Sequence, residues 1–280
     1  MKQTDIHVTA VVEEGAQIGR GVTIEPYAII KKNVILEDLV TVKSHAYVDG
    51  HTTVGKGTVI YPFASVGSKT QDRKFKGEKT YVKIGQNCEI REYVTINSSC
   101  GEESSVIIGD DCLFMAYCHV AHHCEIGNHV TMANASMLAG HVVIEDSVTV
   151  GGMTAVHQFC RLGAHSMIGG QSGIVRDIPP YTVGFGSRLY RIGGLNLIGL
   201  RRRKFSREDI ASLNEAYKIT YRSGLSLNEA LEKIEKEIEP NPCIIHWLQF
   251  ARSSKRGLSG LGLDESSLDE LEKPQDLIQI

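Results

Sequence analysis

The chain of 280 residues has little from which to build a conventional aromatic core: aromatics make up 6% of it and tryptophan occurs once. Charge of neither sign dominates, the net value being -3, and no apolar run approaches the length of a membrane span. The opening residues, MKQTDIHVTAVVEEG, contain no apolar signal region. These absences argue against stable membrane insertion and against a general nucleic-acid binder, and they make the cytoplasm the expected compartment. The seven cysteines (88, 100, 112, 118, 124, 160 and 243) include no CxxC pair and are odd in number. Five of them, Cys88, Cys112, Cys118, Cys124 and Cys160, share one phase of a repeat whose equivalent positions hold mainly Ala, Val, Ser or Thr. They read as small buried hydrophobes, with no disulfide or metal role.

What the chain does have is glycine, 28 residues of it, and a period of six. From Ile6 onward, Val12, Ile18, Ile24, Ile30, Leu36, Val42, Val48, Val54, Ile60 and Val66 are all β-branched or leucine. Four residues after each comes a small or β-branched residue, from Ala10 and Ala16 to Thr58 and Ala64. Neither a helix nor an ordinary strand has this period; a β-helix of short strands and tight corners does. Gly15, Gly21, Gly55 and Gly57 fall where corners belong, since glycine accepts unusual turn dihedrals.

Two polar insertions, near 68–80 and 97–105, break the register. It then runs from Ile108 through Ile174 and stops at Asp177-Ile-Pro-Pro180, because proline is a poor partner in a ladder. Three hexapeptides per turn predict a triangular prism of about ten coils, on the order of 45–50 Å long at a strand spacing of ~4.8 Å. A linker around Val183 to Tyr190 follows. Ser206-Arg-Glu-Asp209 and Ser226-Leu-Asn-Glu229 read as capping boxes that open helices, and a further helix is expected from about Pro242 to Arg252. The tail from Lys255 is expected to be partly disordered. The predicted organisation is a β-helix domain over 1–185 and a small α-helical domain over 186–280.

The stretch from Phe114 to Gly140 carries His119, His122, His123 and His129, with His141 next. Residues one coil apart are axial neighbours, so His122 lies beneath Gly140, with Gln158 one coil further, and His123 lies beneath His141. An imidazole can take a proton from a hydroxyl near neutral pH. A glycine N–H with no side chain in the way can stabilise an oxyanion, an effect of ~10²–10³ in rate. Together they suit direct acyl transfer, because no Ser-His-Asp or Cys-His set is evident.

The segments HVAHHC, MLAGHV, GGMTAVHQFCRLGAH and GLRRRKFSRE, with the QDRK loop, resemble the UDP-N-acetylglucosamine O-acyltransferase family over essentially the whole chain. The resemblance implies an all-β left-handed parallel β-helix of hexapeptide repeats followed by a small helical domain. It also implies a cytosolic homotrimer that moves an acyl chain, usually 3-hydroxylated, from acyl carrier protein to the 3-hydroxyl of UDP-N-acetylglucosamine, the first step of lipid A biosynthesis. No cofactor or metal is implied. Carried over by motif, His122 is the general base and Gly140 the oxyanion donor. His119, His141, His157 and Gln158 become substrate contacts. Asp72 and Lys74 bind the sugar nucleotide, Asn196, Arg202 and Arg203 contact the nucleotide, and Gly170 limits acyl-chain length. Gly170 lies on a different corner from His122, which suggests a groove between subunits.

Three positions depart from the family pattern. His123 stands where many relatives carry an acidic residue, Asn97 replaces a histidine, and Ile198 replaces a nucleotide-contacting glutamate. Other readings of the same residues are a zinc enzyme of the γ-carbonic anhydrase type, with His119, His123 and His141 as ligands, and a non-catalytic hexapeptide scaffold. A third is the related N-acyltransferase of the same pathway, which typically has an extra N-terminal domain.

Overall fold

The computed structural model describes residues 3–187 and 189–261. The period of six becomes strands of mostly two residues in three sheets of eleven, nine and eight strands, all stacked in parallel except the last strand of the first sheet. The chain visits the three sheets in rotation, so they form the faces of a triangular prism. The first face begins with Asp5–Ile6, the second with Val11–Val12 and the third with Gln17–Ile18. Each inward position holds one residue of the six-residue series. Ile24, Ile30, Val42, Val48, Ile60, Ile90 and Val120 are all fully buried. Burying each such side chain contributes roughly 1.5–3 kcal/mol. The five in-phase cysteines are buried among them.

The prism has nine coils, one fewer than expected. Val54 pairs with Ile84 and Ile84 with Ile108, so the two insertions consume the sequence of one coil without adding strands. The corners also differ from expectation. Gly15, Gly21 and Gly57 have positive φ, but most left-handed corner positions hold other residues, among them Tyr27, Phe63, Tyr93, His123 and His141. Gly55 is needed for space, since a Cβ there would lie 2.8 Å from Gln86 N on the next coil. A non-glycine residue in this conformation costs roughly 1–2 kcal/mol. Stacking offsets the cost on the corner between the first and second faces. There Tyr27, His45, Phe63, Tyr93 and Tyr117 form a column with successive ring centroids 5.0–5.1 Å apart.

The prolines at 179 and 180 do not end the first sheet. Thr182–Phe185 adds one more parallel strand and then pairs antiparallel with Arg191–Leu195. The stretch read as a linker therefore starts inside a strand. Four helices follow: α1 (Leu197–Arg202), α2 (Arg207–Arg222), α3 (Leu227–Glu237) and α4 (Pro242–Ser253). Asn196 caps α1, a short helix with no sequence signal beyond that residue. Ser226 and Glu229 form a full capping box. At α2 the box is half made: Asp209, one methylene shorter than glutamate, takes the Ser206 hydroxyl, and the Ser206 N–H goes without it. The helices enclose a second core around Trp247, Phe250, Leu213 and Leu231. A polar seam joins the two cores: His246 Nδ1 lies 2.9 Å from Tyr181 Oη, and its Nε2 lies 2.9 Å from Glu145 Oε2. The expectation of a disordered tail falls, beyond residue 261, outside the described residues.

Candidate active site

Both insertions leave the second face at the same corner, the one that leads to the third face. His122, Gly140 and Gln158 occupy this corner on the three coils above. The first insertion therefore faces it, and a cavity of about 600 Å³ opens between that loop and the corner, with Asn97 at the start of the second insertion on its lining. Ser98 N donates to Ser68 O at 2.7 Å, which ties the second insertion under the first. Within the first insertion Asp72 Oδ1 accepts from Lys74 N at 2.8 Å, an Asx turn that fixes the loop and turns Oδ2 inward. Asp72 Oδ2 then lies 3.6 Å from His122 Nε2.

The coil arithmetic holds at atomic detail. His141 N donates to His122 O at 3.0 Å, and Phe159 N to Gly140 O at 3.2 Å. A Cβ on residue 140 would lie 2.5 Å from His122 Nε2, so only glycine lets the imidazole rest against this backbone. Among the described residues, no group accepts from the Gly140 N–H. An imidazole and an unengaged N–H donor thus adjoin in one cavity.

Three rings stack up this corner. His123 lies on His141 with centroids 4.2 Å apart and planes 11° from parallel, and His141 lies on Phe159 at 4.6 Å. His122 stands perpendicular to His123 and to His141, and its Nδ1 is 3.0 Å from His123 Nδ1. Burial lowers the pKa of His119, His122, His123 and His141 because it disfavours the charged imidazolium. For His122, Asp72 pulls the other way and Lys74 adds to the lowering. His141 falls to about 4, with the neighbouring His123 and His122 contributing after burial. Each of these shifts favours the neutral imidazole, the state a general base requires.

Of the expected site residues, His122, Gly140, Asp72, Lys74, His119, His141, His157 and Gln158 all line the cavity. His119 sits on the second face, where its Nδ1 pairs with Thr95 Oγ1 at 2.7 Å. Within one chain Gly170, Asn196, Arg202 and Arg203 do not line this cavity. Gly170 lies at the corner between the first and second faces. The nearest neighbours of a Cβ built there are backbone atoms of Gly151 and Gly152. Both polar side-chain atoms of Asn196 are engaged, Nδ2 with His165 O and Oδ1 with Gly199 N. Arg202 and Arg203 are exposed at the end of α1. His129 lies on the third corner beside Asp111, outside the cavity. The sequence reading missed Arg73 and Phe159 as lining residues. Phe159 was findable one coil above His141; Arg73 lies in an insertion, where the repeat gives no register.

Among the described residues, one group of three potential metal ligands has donor atoms within 4.8 Å of one another: His122, His123 and His141. The stacked rings of His123 and His141 hold their in-plane lone pairs side by side, so shared ligation requires one ring to leave the stack. His119, a member of the ligand set considered for zinc, is not in this group.

Two family models match. Residues 105–140 fit the bacterial transferase hexapeptide (six repeats), and residues 177–259 fit domain 2 of UDP N-acetylglucosamine O-acyltransferase. The chain is 55% identical over 279 residues to the acyl-[acyl-carrier-protein]–UDP-N-acetylglucosamine O-acyltransferase of Chlamydia caviae, covering 99% of each. Among solved structures, the UDP-N-acetylglucosamine acyltransferase of Bacteroides fragilis aligns with a TM-score of 0.87 at 38% identity, over 90% of this chain and 99% of that one. The enzyme of Francisella novicida aligns with a TM-score of 0.87 at 32% identity, over 98% and 99%. The shared architecture makes the prism a left-handed parallel β-helix with a small helical region at its C-terminal end.

Proposed function

The chain belongs to the UDP-N-acetylglucosamine O-acyltransferase family and is an acyltransferase; from that premise we propose that it transfers a 3-hydroxyacyl chain from acyl carrier protein to the 3-hydroxyl of UDP-N-acetylglucosamine, opening lipid A biosynthesis. The observation that carries the site assignment is the imidazole of His122 packed against Gly140, whose N–H is unengaged. His122 Nε2 takes the proton of the sugar hydroxyl as its oxygen attacks the thioester carbonyl. The Gly140 N–H holds the oxyanion that forms. Collapse breaks the carbon–sulfur bond, and the proton returns from His122 to the leaving thiolate of the carrier. Attack and departure share one base, so no acyl-enzyme is required.

Asp72 and Lys74 hold the sugar nucleotide against His122, the lysine supplying a point charge for phosphate. His119, His141, His157 and Gln158 shape the rest of the pocket. The acyl chain runs toward Gly170, where a glycine leaves room for its end. Gly170, Asn196, Arg202 and Arg203 lie off the cavity within one chain. A homotrimer in which neighbours present these residues across a shared groove accounts for their separation. Residues 1–185 then act as the transfer domain and 186–280 as a helical domain. Among the described residues no helix is long and apolar enough to cross a membrane, which accords with catalysis in the cytoplasm on carrier-bound chains.

The test is turnover of UDP-N-acetylglucosamine with a panel of acyl carrier protein thioesters that vary in length and 3-hydroxylation, for the wild type and His122→Ala. The wild type should acylate the sugar with a preference for a 3-hydroxylated chain. His122→Ala should lose at least ~100-fold in kcat with an unchanged melting temperature. Near-normal turnover by that variant would remove His122 as the base, and failure of the wild type with every thioester would remove the reaction.

A further inference from the structure

The hydrogen bond between His122 and His123 joins two Nδ1 atoms 3.0 Å apart, so one ring donates and the other accepts. The direction decides the chemistry. If His123 donates, a neutral His122 carries its proton on Nε2 and has no lone pair for a substrate on that nitrogen. If His123 accepts, the lone pair of His122 lies on Nε2. Asp72 Oδ2 favours the first arrangement, but at 3.6 Å from Nε2 it is beyond hydrogen-bond reach. We propose that His123 is a positioning residue for the base: its Nδ1 accepts the Nδ1–H of His122 and so keeps the reactive lone pair on Nε2. The inference rests on the acyl-transfer reading of this site and adds to it a residue that is not an acid.

The fold holds His123 for this task. Its backbone is left-handed, with φ 56°, and its N–H donates at 3.3 Å to Ser99 Oγ in the second insertion, one coil below. One face of its ring rests on His141, which rests in turn on Phe159, so the ring edge stays aimed at His122, which stands at 86° to it. Acceptance requires a neutral imidazole, and burial together with the neighbouring His122 lowers the pKa of His123. Once His122 is protonated at Nε2, its Nδ1–H still points at a neutral partner. Such a partner stabilises imidazolium less than a carboxylate does, so the base remains weakly basic and free at lower pH. The other titratable and charged groups facing the pair are Asp72, Arg73 and Lys74 from the first insertion, His119 from the second face, and His141 and His157 from the coils above.

The pH profile of kcat/KM tests this for the full-length wild type and for His123→Phe, His123→Asn and His123→Asp. Phenylalanine keeps a stacked ring and removes the acceptor. It should lower kcat by about 10- to 100-fold, the scale seen when a metal-bound histidine loses the partner that orients it, with little change in KM for the sugar nucleotide. Asparagine supplies a carbonyl acceptor and should recover most of the loss. Aspartate should stay active and move the acidic limb to higher pH, because a carboxylate raises the pKa of His122. A His123→Phe enzyme within twofold of wild type in kcat, with a superimposable pH profile, overturns the proposal. So does a loss that neither asparagine nor aspartate relieves. Wild-type turnover in the same assay separates failure here from failure of the acyl-transfer reading.

Discussion

Two corners of the prism carry columns of stacked rings, built by the same backbone device and put to different ends. On the first corner Tyr27, His45, Phe63, Tyr93 and Tyr117 climb five coils, each in the left-handed conformation. On the second, His123, His141 and Phe159 do the same over three. The first column contains a histidine too, yet His45 is sandwiched between Tyr27 and Phe63. The second column has something beside it: His122 on one coil, the flat backbone of Gly140 on the next, and the first insertion, which faces both across the cavity. A ring ladder is a local answer to corner strain. It becomes a candidate site where the chain adds a covering loop and leaves one position without a side chain.

The largest effect expected from disturbing that difference comes from filling the bare position. A Cβ at residue 140 would sit 2.5 Å from His122 Nε2, and the end of a side chain yields before backbone does. Gly140→Ala should therefore turn His122 away from the backbone N–H and lower kcat by ~10²–10³. The coils remain paired, so the melting temperature should move little. Retained turnover in steady-state assays would show that the contact between base and backbone is dispensable.

The silent column gives the converse. Tyr93 lies between Phe63 and Tyr117, with centroids 5.1 and 5.0 Å away. Tyr93→Ala removes two stacked contacts at roughly 0.5–1.5 kcal/mol each while keeping a left-handed residue with no ring to offset it. Denaturant unfolding should show a loss of about 1–3 kcal/mol, with kcat within twofold of wild type. A large fall in kcat with intact stability would mean that the first corner also serves the reaction.

The two columns were not equally legible in the sequence. The inward series shows because a two-residue strand has one buried position, which must be apolar on every coil. The same count places His122 under Gly140 and His123 under His141, wherever the repeat is unbroken. It ends at the insertions. The approach of Asp72 to His122 depends on an Asx turn and on Ser98 tying one loop beneath the other, neither of which has a period. The hairpin of Thr182–Phe185 and Arg191–Leu195 was hidden for a related reason. The first sheet resumes after two prolines, since their rings sit at the corner and leave the ladder's donors alone. Period alone also implied glycine at the corners, whereas stacking lets aromatic residues take the same dihedrals.

The smallest expected effect concerns the middle rung of the second column and shows only as pH falls. His141 has an ordinary pKa near 6.5 when unfolded and about 4 when folded, chiefly through burial. Between those values the unfolded chain binds the extra proton, so stability falls as pH drops from 6.5 toward 4. His119, His122 and His123 are lowered as well and act in the same direction. His141→Phe would make this rung resemble those of the first column, keeping the stack between His123 and Phe159 while deleting one titrating group. Its melting temperature should match the wild type at pH 7.5 and decline less steeply toward pH 5. The difference is expected to be on the order of a degree, since partial exposure screens the effect. An identical slope in both proteins would mean that His141 is solvated well enough to titrate alike folded and unfolded, and that the stack does not shield its charge.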